Sequence, residues 1–189
     1  MTSIARVVSG AVCLVALLAP AAYAAGVRPV VVAGYDAGGD PIATMTYTSG
    51  RSDSIKANEG LYLGGGVSVL NEAGNIELLA ALSVKYQGLH ADNGDIRWTR
   101  FPLDALLFYR WPSFRLGGGL TYVMEPRVKG SGASSNIDAT FDNATGVLLQ
   151  GDYLLDGFAL GLRATLLDYK FAGSTVKASG VGVSFGFTF

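Results

Sequence analysis

Seven polar side chains stand singly within segments of the chain that are otherwise apolar or built of small residues. Three are acids, three are bases and one is an amide: Glu77, Lys85, Asp104, Arg115, Gln150, Asp152 and Arg163. Equal numbers of acids and bases favour mutual ion pairing, because an unpaired charge held away from water is costly. The alternative is that these groups line a path for ions. Either chemistry requires one interior that receives all seven side chains.

A second kind of chemistry would use a general base beside a nucleophilic hydroxyl. The single histidine, His90, lies on a predicted turn, and no serine follows it two residues later. A loop histidine without a catalytic role is the better interpretation. The segment Asp92-Asn93-Gly94-Asp95 lacks the remaining ligands of a calcium loop and is better explained as a tight turn. We therefore expect no catalytic residue, no metal site and no cofactor.

The chain begins with the three parts of a secretory signal peptide. Arg6 supplies a positive charge, an apolar stretch runs from Ala11 to Leu18, and Ala22-Tyr23-Ala24 is a small-x-small cleavage site. We predict a signal peptide over residues 1–24 and one mature domain over residues 25–189. Cleavage would remove Cys13, the only cysteine, and with it any thiolate chemistry. The net charge of −1 provides no basic surface for nucleic acid.

The rest of the chain divides into eight segments of alternating polarity, which predict eight antiparallel strands and an all-β fold. The predicted strands are Pro29–Asp36, Gly60–Leu70, Ile76–Gly88, Ile96–Arg110, Phe114–Met124, Asp138–Tyr153, Phe158–Lys170 and Lys177–Phe189. Short turns follow the second, fourth and sixth strands, and longer connections follow the others. This alternation is typical of an up-and-down transmembrane barrel. The first connection, 37–59, is predicted to hold a β-hairpin, either a ligand-binding edge or a lid over the barrel.

The facing of the side chains decides between a soluble and a membrane barrel. In the last strand Val181, Val183 and Phe185 alternate with glycine and serine. An eight-stranded barrel has an interior just wide enough for side chains, so small residues should point inward and bulky apolar residues outward, toward lipid. Asp168 departs from this phasing, and we expect a bulge or the membrane rim there. Only 15% of the residues are charged, against about 25% in an average soluble domain.

Aromatic residues should form two belts, as they do at the two interfaces of a membrane barrel. The belt at the short turns would comprise Tyr109, Trp111, Phe114, Tyr153, Phe158, Phe187 and Phe189. The belt at the opposite strand ends would comprise Tyr35, Tyr86, Trp98, Phe101, Tyr122, Tyr169 and Phe171.

The closing sequence Val183-Ser184-Phe185-Gly186-Phe187-Thr188-Phe189 looks like the C-terminal strand of outer-membrane barrels, and the whole mature chain resembles the small OmpA/OmpX-type barrels. The resemblance implies insertion by the barrel-assembly machinery, which would recognise Val183, Phe185, Phe187 and Phe189. It also implies contact with outer-membrane lipids and lipopolysaccharide, and it identifies no external ligand. We expect a structural or surface-interaction barrel with a plugged lumen and no catalysis. A narrow solute channel and a lipid A-modifying enzyme are the alternatives.

Overall fold

The computed structural model describes residues 26–46, 50, 52–91 and 94–189, so the predicted signal peptide lies outside the described residues. The described chain contains thirteen β-strands, and no helix long and apolar enough to cross a membrane occurs within it. The strands are β1 Val27–Gly38, β2 Pro41–Thr46, β3 Ser52–Lys56, β4 Gly60–Leu70, β5 Ile76–Ala91, β6 Gly94–Arg110, β7 Phe114–Gly132, β8 Asp138–Thr140, β9 Ala144–Leu154, β10 Phe158–Leu166, β11 Asp168–Phe171, β12 Ser174–Lys177 and β13 Gly180–Thr188.

Eight of these strands close into a barrel. In spatial order they are β1, β4, β5, β6, β7, β9, β10 and β13, each antiparallel to its neighbours. The last strand completes the ring by pairing with the first, with Val30 opposite Thr188 and Gly38 opposite Gly180. The predicted eight-stranded up-and-down barrel is confirmed.

The two ends of the barrel differ. At one end, which we call the turn end, residues 71–75, 111–113 and 155–157 connect consecutive barrel strands. At the other, the loop end, β2 pairs with β3, β11 pairs with β12, and β8 pairs with the extension of β7. The two strands of the predicted 37–59 hairpin are therefore present, although residues 47–49 and 51 between them lie outside the described chain.

Two predicted strands are each divided in the structure. The segment predicted as Asp138–Tyr153 consists of β8 and β9, and the segment predicted as Phe158–Lys170 consists of β10 and β11. At Leu167 the chain leaves the barrel wall and buries its side chain at the loop end, where the Leu167 carbonyl accepts a hydrogen bond from Ala178 N at 2.8 Å. Asp168 then begins β11 and is exposed, which accounts for its irregular phasing.

A β-bulge explains why β7 runs further than the predicted Phe114–Met124. Phe101 on β6 faces Met124, whereas Thr99 faces Arg127, so β7 carries one extra residue between the two pairs. Glu125, within the bulge, has a φ of 48°. The extra residue reverses the facing of the strand: Tyr122 is exposed before the bulge, and Arg127 is exposed after it. Because the bulge interrupts the alternation of apolar and small residues in the sequence, the prediction ended the strand at Met124.

The outer surface of the barrel wall is apolar. Leu162, Leu61 and Val181 are 69%, 65% and 65% exposed, and the same facing holds on each barrel strand. The predicted orientation of bulky residues outward and small or polar residues inward is therefore present. Two members of the predicted loop-end belt are placed differently: Trp98 and Tyr169 are buried. Trp98 has the same inward phase as Arg100 and Asp104 on β6. Tyr169 is the buried residue of β11, which follows the point at Leu167 where the chain leaves the barrel wall.

Candidate functional site

The lumen is the part of the molecule that concentrates polar groups, and it is organised in layers along the barrel axis. A polar network near the turn end is followed by an apolar layer, a second polar network and an apolar cluster at the loop end. On β5 this order is visible in a single strand, where the inward-facing residues are Glu77, Leu79, Ala81, Ser83 and Lys85. One strand thus contributes inward-facing residues to both networks and to the apolar layer between them.

The turn-end network is centred on Arg115. Its Nη1 donates to Glu77 Oε1 at 2.6 Å, and its Nε donates to Asp152 Oδ2 at 2.7 Å. The Cζ atom of Arg115 lies 4.3 Å from the ring centroid of Phe108, a cation–π contact. Both carboxylates accept further hydrogen bonds: Glu77 from Ser68 and Arg110, and Asp152 from Gln150 and Ser184. With Arg110 included, two carboxylates face two guanidinium groups, so this network is neutral and each carboxylate oxygen has a donor.

An apolar layer separates the turn-end network from the rest of the lumen. Its buried members are Val30, Leu79, Ala81, Leu106, Phe108 and Leu148, with Val32 packed against them. Leu148 and Phe108 are 0% and 1% exposed. Because these side chains project from β1, β5, β6 and β9 toward the axis, they fill the middle of the barrel with hydrocarbon. A polar solute would have to displace this layer to pass.

The ion pairs of the loop-end network join four of the barrel strands, β1, β5, β6 and β10. Lys85 Nζ donates to Asp36 Oδ2 at 2.6 Å and to Asn58 Oδ1 at 2.9 Å. Arg163 Nη2 donates to Asp104 Oδ2 at 3.2 Å, and its Nε lies 3.7 Å from Asp36 Oδ1. All four charged residues are buried. The strands that carry them are therefore joined across the lumen as well as along their edges.

Arg100 is the most deeply buried cation of this network, at 1% exposure. Its Nη1 donates to the carbonyl of Ala57, and its Nη2 donates to the carbonyls of Asn58 at 3.3 Å and Glu59 at 2.5 Å. Trp98 Nε1 donates to the same Ala57 carbonyl at 3.2 Å. Arg100 thus holds the segment that links the outer hairpin to β4, and it forms no ion pair with a carboxylate of the described chain.

A cavity of about 20 Å³ lies within the loop-end network. Among its lining residues are Asp36, Asn58, Arg100, Asp104 and Arg163. Each of these five has one buried polar atom without a hydrogen-bond partner within the described chain: Asp36 Oδ1, Asn58 Nδ2, Arg100 Nε, Asp104 Oδ1 and Arg163 Nε. Buried polar atoms are normally paired, so this concentration is unusual and marks the cavity as polar.

The loop end is closed by an apolar cluster that we call the lid cluster. It consists of Met45, Ile55, Ala57, Ile96, Trp98, Val123, Val128, Phe141, Ala144, Leu167, Tyr169 and Ala178. The rings of Phe141 and Tyr169 meet the Trp98 ring edge-on, with centroids 5.2 Å and 5.8 Å away. Met45 and Ile55 come from β2 and β3, so these two strands pack over the loop end of the barrel. Such a position is compatible with both predicted roles of the hairpin, a lid and a ligand-binding edge.

An exposed ion pair stands outside the barrel on the β7–β8 extension. Arg127 donates from Nε and Nη2 to the two carboxylate oxygens of Asp138, at 2.9 Å and 2.7 Å. These hydrogen bonds, with the nearby positive charge of Lys129, hold the pKa of Asp138 below its usual value. Both side chains are about half exposed, so solvent screens the pair.

All seven residues predicted for the lumen are buried there and divide between the two networks. Glu77, Arg115, Gln150 and Asp152 belong to the turn-end network, and Lys85, Asp104 and Arg163 belong to the loop-end network. Sequence reasoning missed Asp36, Asn58 and Arg100. It also missed Tyr62, a buried residue of β4 whose ring centroid lies 4.9 Å from Arg163 Cζ. Asp36 ends a predicted strand and Arg100 lies within another. Their positions in the alternation of those strands would have placed both side chains in the lumen. Asn58 lies in a loop, where no phase exists.

The remaining predicted residues lie at the two ends. His90 is exposed on β5 opposite Asp95, and within the described chain it forms no hydrogen bond to a hydroxyl. No group of three potential metal ligands occurs among the described residues. Val183, Phe185 and Phe189 face outward, and Phe187 is half-buried with its ring 4.7 Å from those of Phe158 and Phe189.

No protein-family model matches the chain, and no curated protein matches it. Several solved structures have a similar architecture. One is Ail, the attachment invasion locus protein of Yersinia pestis, in complex with the heparin analogue sucrose octasulfate, at 12% identity, 86% coverage of this chain, 97% of that chain and a TM-score of 0.49. A second is Neisserial surface protein A, at 15% identity, 87% and 98% coverage and a TM-score of 0.45. A third is the N-terminal β-barrel domain of OprF from Pseudomonas aeruginosa, at 13% identity, 87% and 98% coverage and a TM-score of 0.42. At 12–15% identity the similarity to these three structures is one of fold.

Proposed function

We propose that the chain is an integral outer-membrane barrel with a structural or surface-interaction role. The observation that carries this proposal is the apolar outer wall, on which leucines, valines and aromatic residues stay 37–69% exposed around the closed ring of strands. An exposed apolar surface of this extent does not persist in water, whereas a closed barrel satisfies its backbone hydrogen bonds within lipid. The predicted signal peptide supports export to that membrane.

The lumen is plugged and conducts no solutes in this proposal. Two apolar barriers support it, namely the middle layer around Leu106 and Leu148 and the lid cluster around Trp98. The charged groups between and below these barriers are engaged with one another rather than aligned along an open path. Planar-bilayer recording of the purified protein tests this point, and a steady conductance abolished by Asp104→Asn or Arg115→Met would establish the channel alternative.

Catalysis is absent from the proposed role. A lipid A-modifying enzyme would need a base beside a hydroxyl. His90 is exposed and forms no hydrogen bond to a hydroxyl of the described residues, which supports the non-catalytic interpretation. The test is His90→Ala in a strain that expresses the chain: the lipid A species should be the same with the wild-type chain, the variant or no chain. A lipid A modification that disappears with His90 would establish the enzyme instead.

Assembly by the barrel-assembly machinery, through Val183, Phe185, Phe187 and Phe189, completes the proposal. The outer-membrane lipids and lipopolysaccharide are the proposed surroundings of the apolar wall. Phe189→Ser should lower the amount of barrel inserted in cells but leave refolding into detergent unchanged, because Phe189 lies beyond the last residue of β13. Equal insertion of the variant would contradict the assembly role.

The membrane assignment itself has a direct test. Protein from an outer-membrane fraction should migrate differently on a gel before and after boiling, because a lipid barrel resists detergent unfolding. Identical migration, together with recovery of the protein in the soluble fraction, would refute the proposal.

A further inference from the structure

The loop-end network contains one buried cation more than it contains buried carboxylates. Its cations are Lys85, Arg100 and Arg163, its carboxylates are Asp36 and Asp104, and none of the five is more than 8% exposed. The nearest other acid, Glu59, is only partly buried at the rim, accepts a hydrogen bond from Tyr35 at 2.7 Å and forms no ion pair with Arg100. The turn-end network, by contrast, is balanced.

The excess cation also stands at an unfavourable position in the sheet. Arg100 on β6 lies directly opposite Lys85 on β5, and both side chains point inward. Like charges directly opposite one another destabilise a pair of strands, and the repulsion is stronger in the interior of a protein than in water. Lys85 has the carboxylate of Asp36 as a counterion. The hydrogen bonds of Arg100 go only to backbone carbonyls, which supply no formal negative charge, and its Cζ lies 5.0 Å from the centroid of the Trp98 ring.

Three residues that line one cavity each have a buried donor without a hydrogen bond. The Nε–H groups of Arg100 and Arg163 and the side-chain amide of Asn58 form no hydrogen bond within the described chain, and their residues line the cavity of about 20 Å³. Arg163 Nε has only the longer ion-pair contact with Asp36 Oδ1, at 3.7 Å. A cavity of about 10–15 Å³ is enough for one water molecule. The space of about 20 Å³ is somewhat larger and suits one ion of chloride size. Asp36 Oδ1 and Asp104 Oδ1 also lack donors and repel any anion. The single excess positive charge of the network therefore favours one monovalent ion and disfavours a doubly charged one.

We propose that this cavity binds one monovalent anion of halide size, held by Arg100 Nε, Arg163 Nε and the amide of Asn58. The anion balances the charge of the network and relieves the repulsion between Arg100 and Lys85. Because the lid cluster lies above it and the apolar middle layer below, the ion is enclosed and acts as a structural component of the barrel. The proposal concerns the lumen alone and does not depend on the membrane or surface role proposed above.

The first experiment compares the chain refolded into neutral detergent in sodium chloride, sodium bromide and sodium gluconate at equal ionic strength. Gluconate is too large for the cavity. The unfolding temperature, followed by tryptophan fluorescence and by heat-dependent gel mobility, should be about 5 °C higher in either halide, as expected for an ion present at roughly 100 times its dissociation constant. Crystals grown from bromide should show one anomalous peak in contact with Arg100 Nε.

Two variants connect the effect to the excess charge. Arg100→Gln and, independently, Lys85→Gln should each remove the difference between halide and gluconate, because either change makes the network neutral. The matched control is Arg110→Gln, which removes the same charge from the turn-end network and should keep the halide dependence. If Arg100→Gln fails to fold, Lys85→Gln and the bromide crystals of the wild-type chain still decide the question.

Equal unfolding temperatures in chloride and gluconate, with only water in the cavity of the bromide crystals, would overturn the proposal. A halide effect of the same size in Lys85→Gln as in the wild-type chain would also overturn it, because the ion would then bind elsewhere on the surface.

Discussion

Removal of Arg115 should destabilise the barrel more than removal of any exposed cation. Arg115→Met keeps a long apolar side chain over Phe108 but deletes the ion pairs to Glu77 at 2.6 Å and to Asp152 at 2.7 Å. Glu77 keeps Arg110 as a counterion. Asp152, which is 3% exposed, keeps only the neutral donors Gln150 and Ser184.

The magnitude follows from the charge that is left behind. Breaking a buried ion pair by removing one partner costs about 3–5 kcal/mol, since the other charge stays buried without compensation. We expect Arg115→Met to lower the free energy of unfolding by about that amount. Asp152→Asn in the same chain should recover most of the loss, because the amide carries no charge and can still accept the hydrogen bond from Gln150.

The assay is urea unfolding of the chain refolded into lipid vesicles, followed by tryptophan fluorescence and gel mobility. Arg127→Met is the matched control, because it breaks an ion pair of similar length whose two side chains are about half exposed and should leave the unfolding midpoint nearly unchanged. A loss for Arg115→Met no larger than that for Arg127→Met would refute the reasoning. A double variant as unstable as Arg115→Met alone would show that the uncompensated charge is not the cause.

Three further predictions test separate features. Gly119→Val should abolish the heat-dependent gel shift, because a Cβ at Gly119 would lie 1.9 Å from the Ala105 carbonyl oxygen. The control Gly118→Val should still fold, because its Cβ would contact a methyl group of Leu149 at 3.1 Å. Leu162→Lys should cost about 2–4 kcal/mol in lipid vesicles if its face meets hydrocarbon, and Thr175→Lys, at an exposed position of the β11–β12 hairpin, should cost much less. Equal losses measured by urea unfolding would contradict the outward orientation. The pKa of Asp138, followed by NMR, should lie below its usual value and rise toward it in Arg127→Met. Since the folded-state pKa is depressed, the stabilisation from this pair is present above the ordinary Asp pKa and is lost as the pH falls through the folded value; an unchanged pKa in the variant would show that Arg127 is not responsible.

The barrel was predictable because a period of two fixes which residues share a face. The alternation in β4, β7 and β13 placed glycines and isolated charges together, and the chain closes with those residues inside. The seven lumen residues were found by the same phase. Where apolar and small or polar residues alternate without interruption, the alternation predicts which side chains point outward and which are buried in the lumen.

What escaped prediction depends on interruptions and on loops. The extra residue at Glu125 reverses the facing of β7, and the departure of the chain at Leu167 separates β10 from β11. Asn58 enters the lumen from a connection that has no periodicity, and it does so because Arg100 and Lys85 bind its segment. Such contacts join residues more than 25 positions apart, and no local pattern encodes them.

The pairing of β1 with β13 has a consequence for how the molecule is made. The strands that close the ring are the first and the last barrel strands in chain order, so a chain that lacks either of them cannot close. Until β13 has been synthesised and has paired, one edge of β1 and one edge of β10 remain without a partner strand. Such unpaired edges can form hydrogen bonds with other chains. Any helper that escorts the nascent polypeptide must therefore shield both edges until the very last strand arrives.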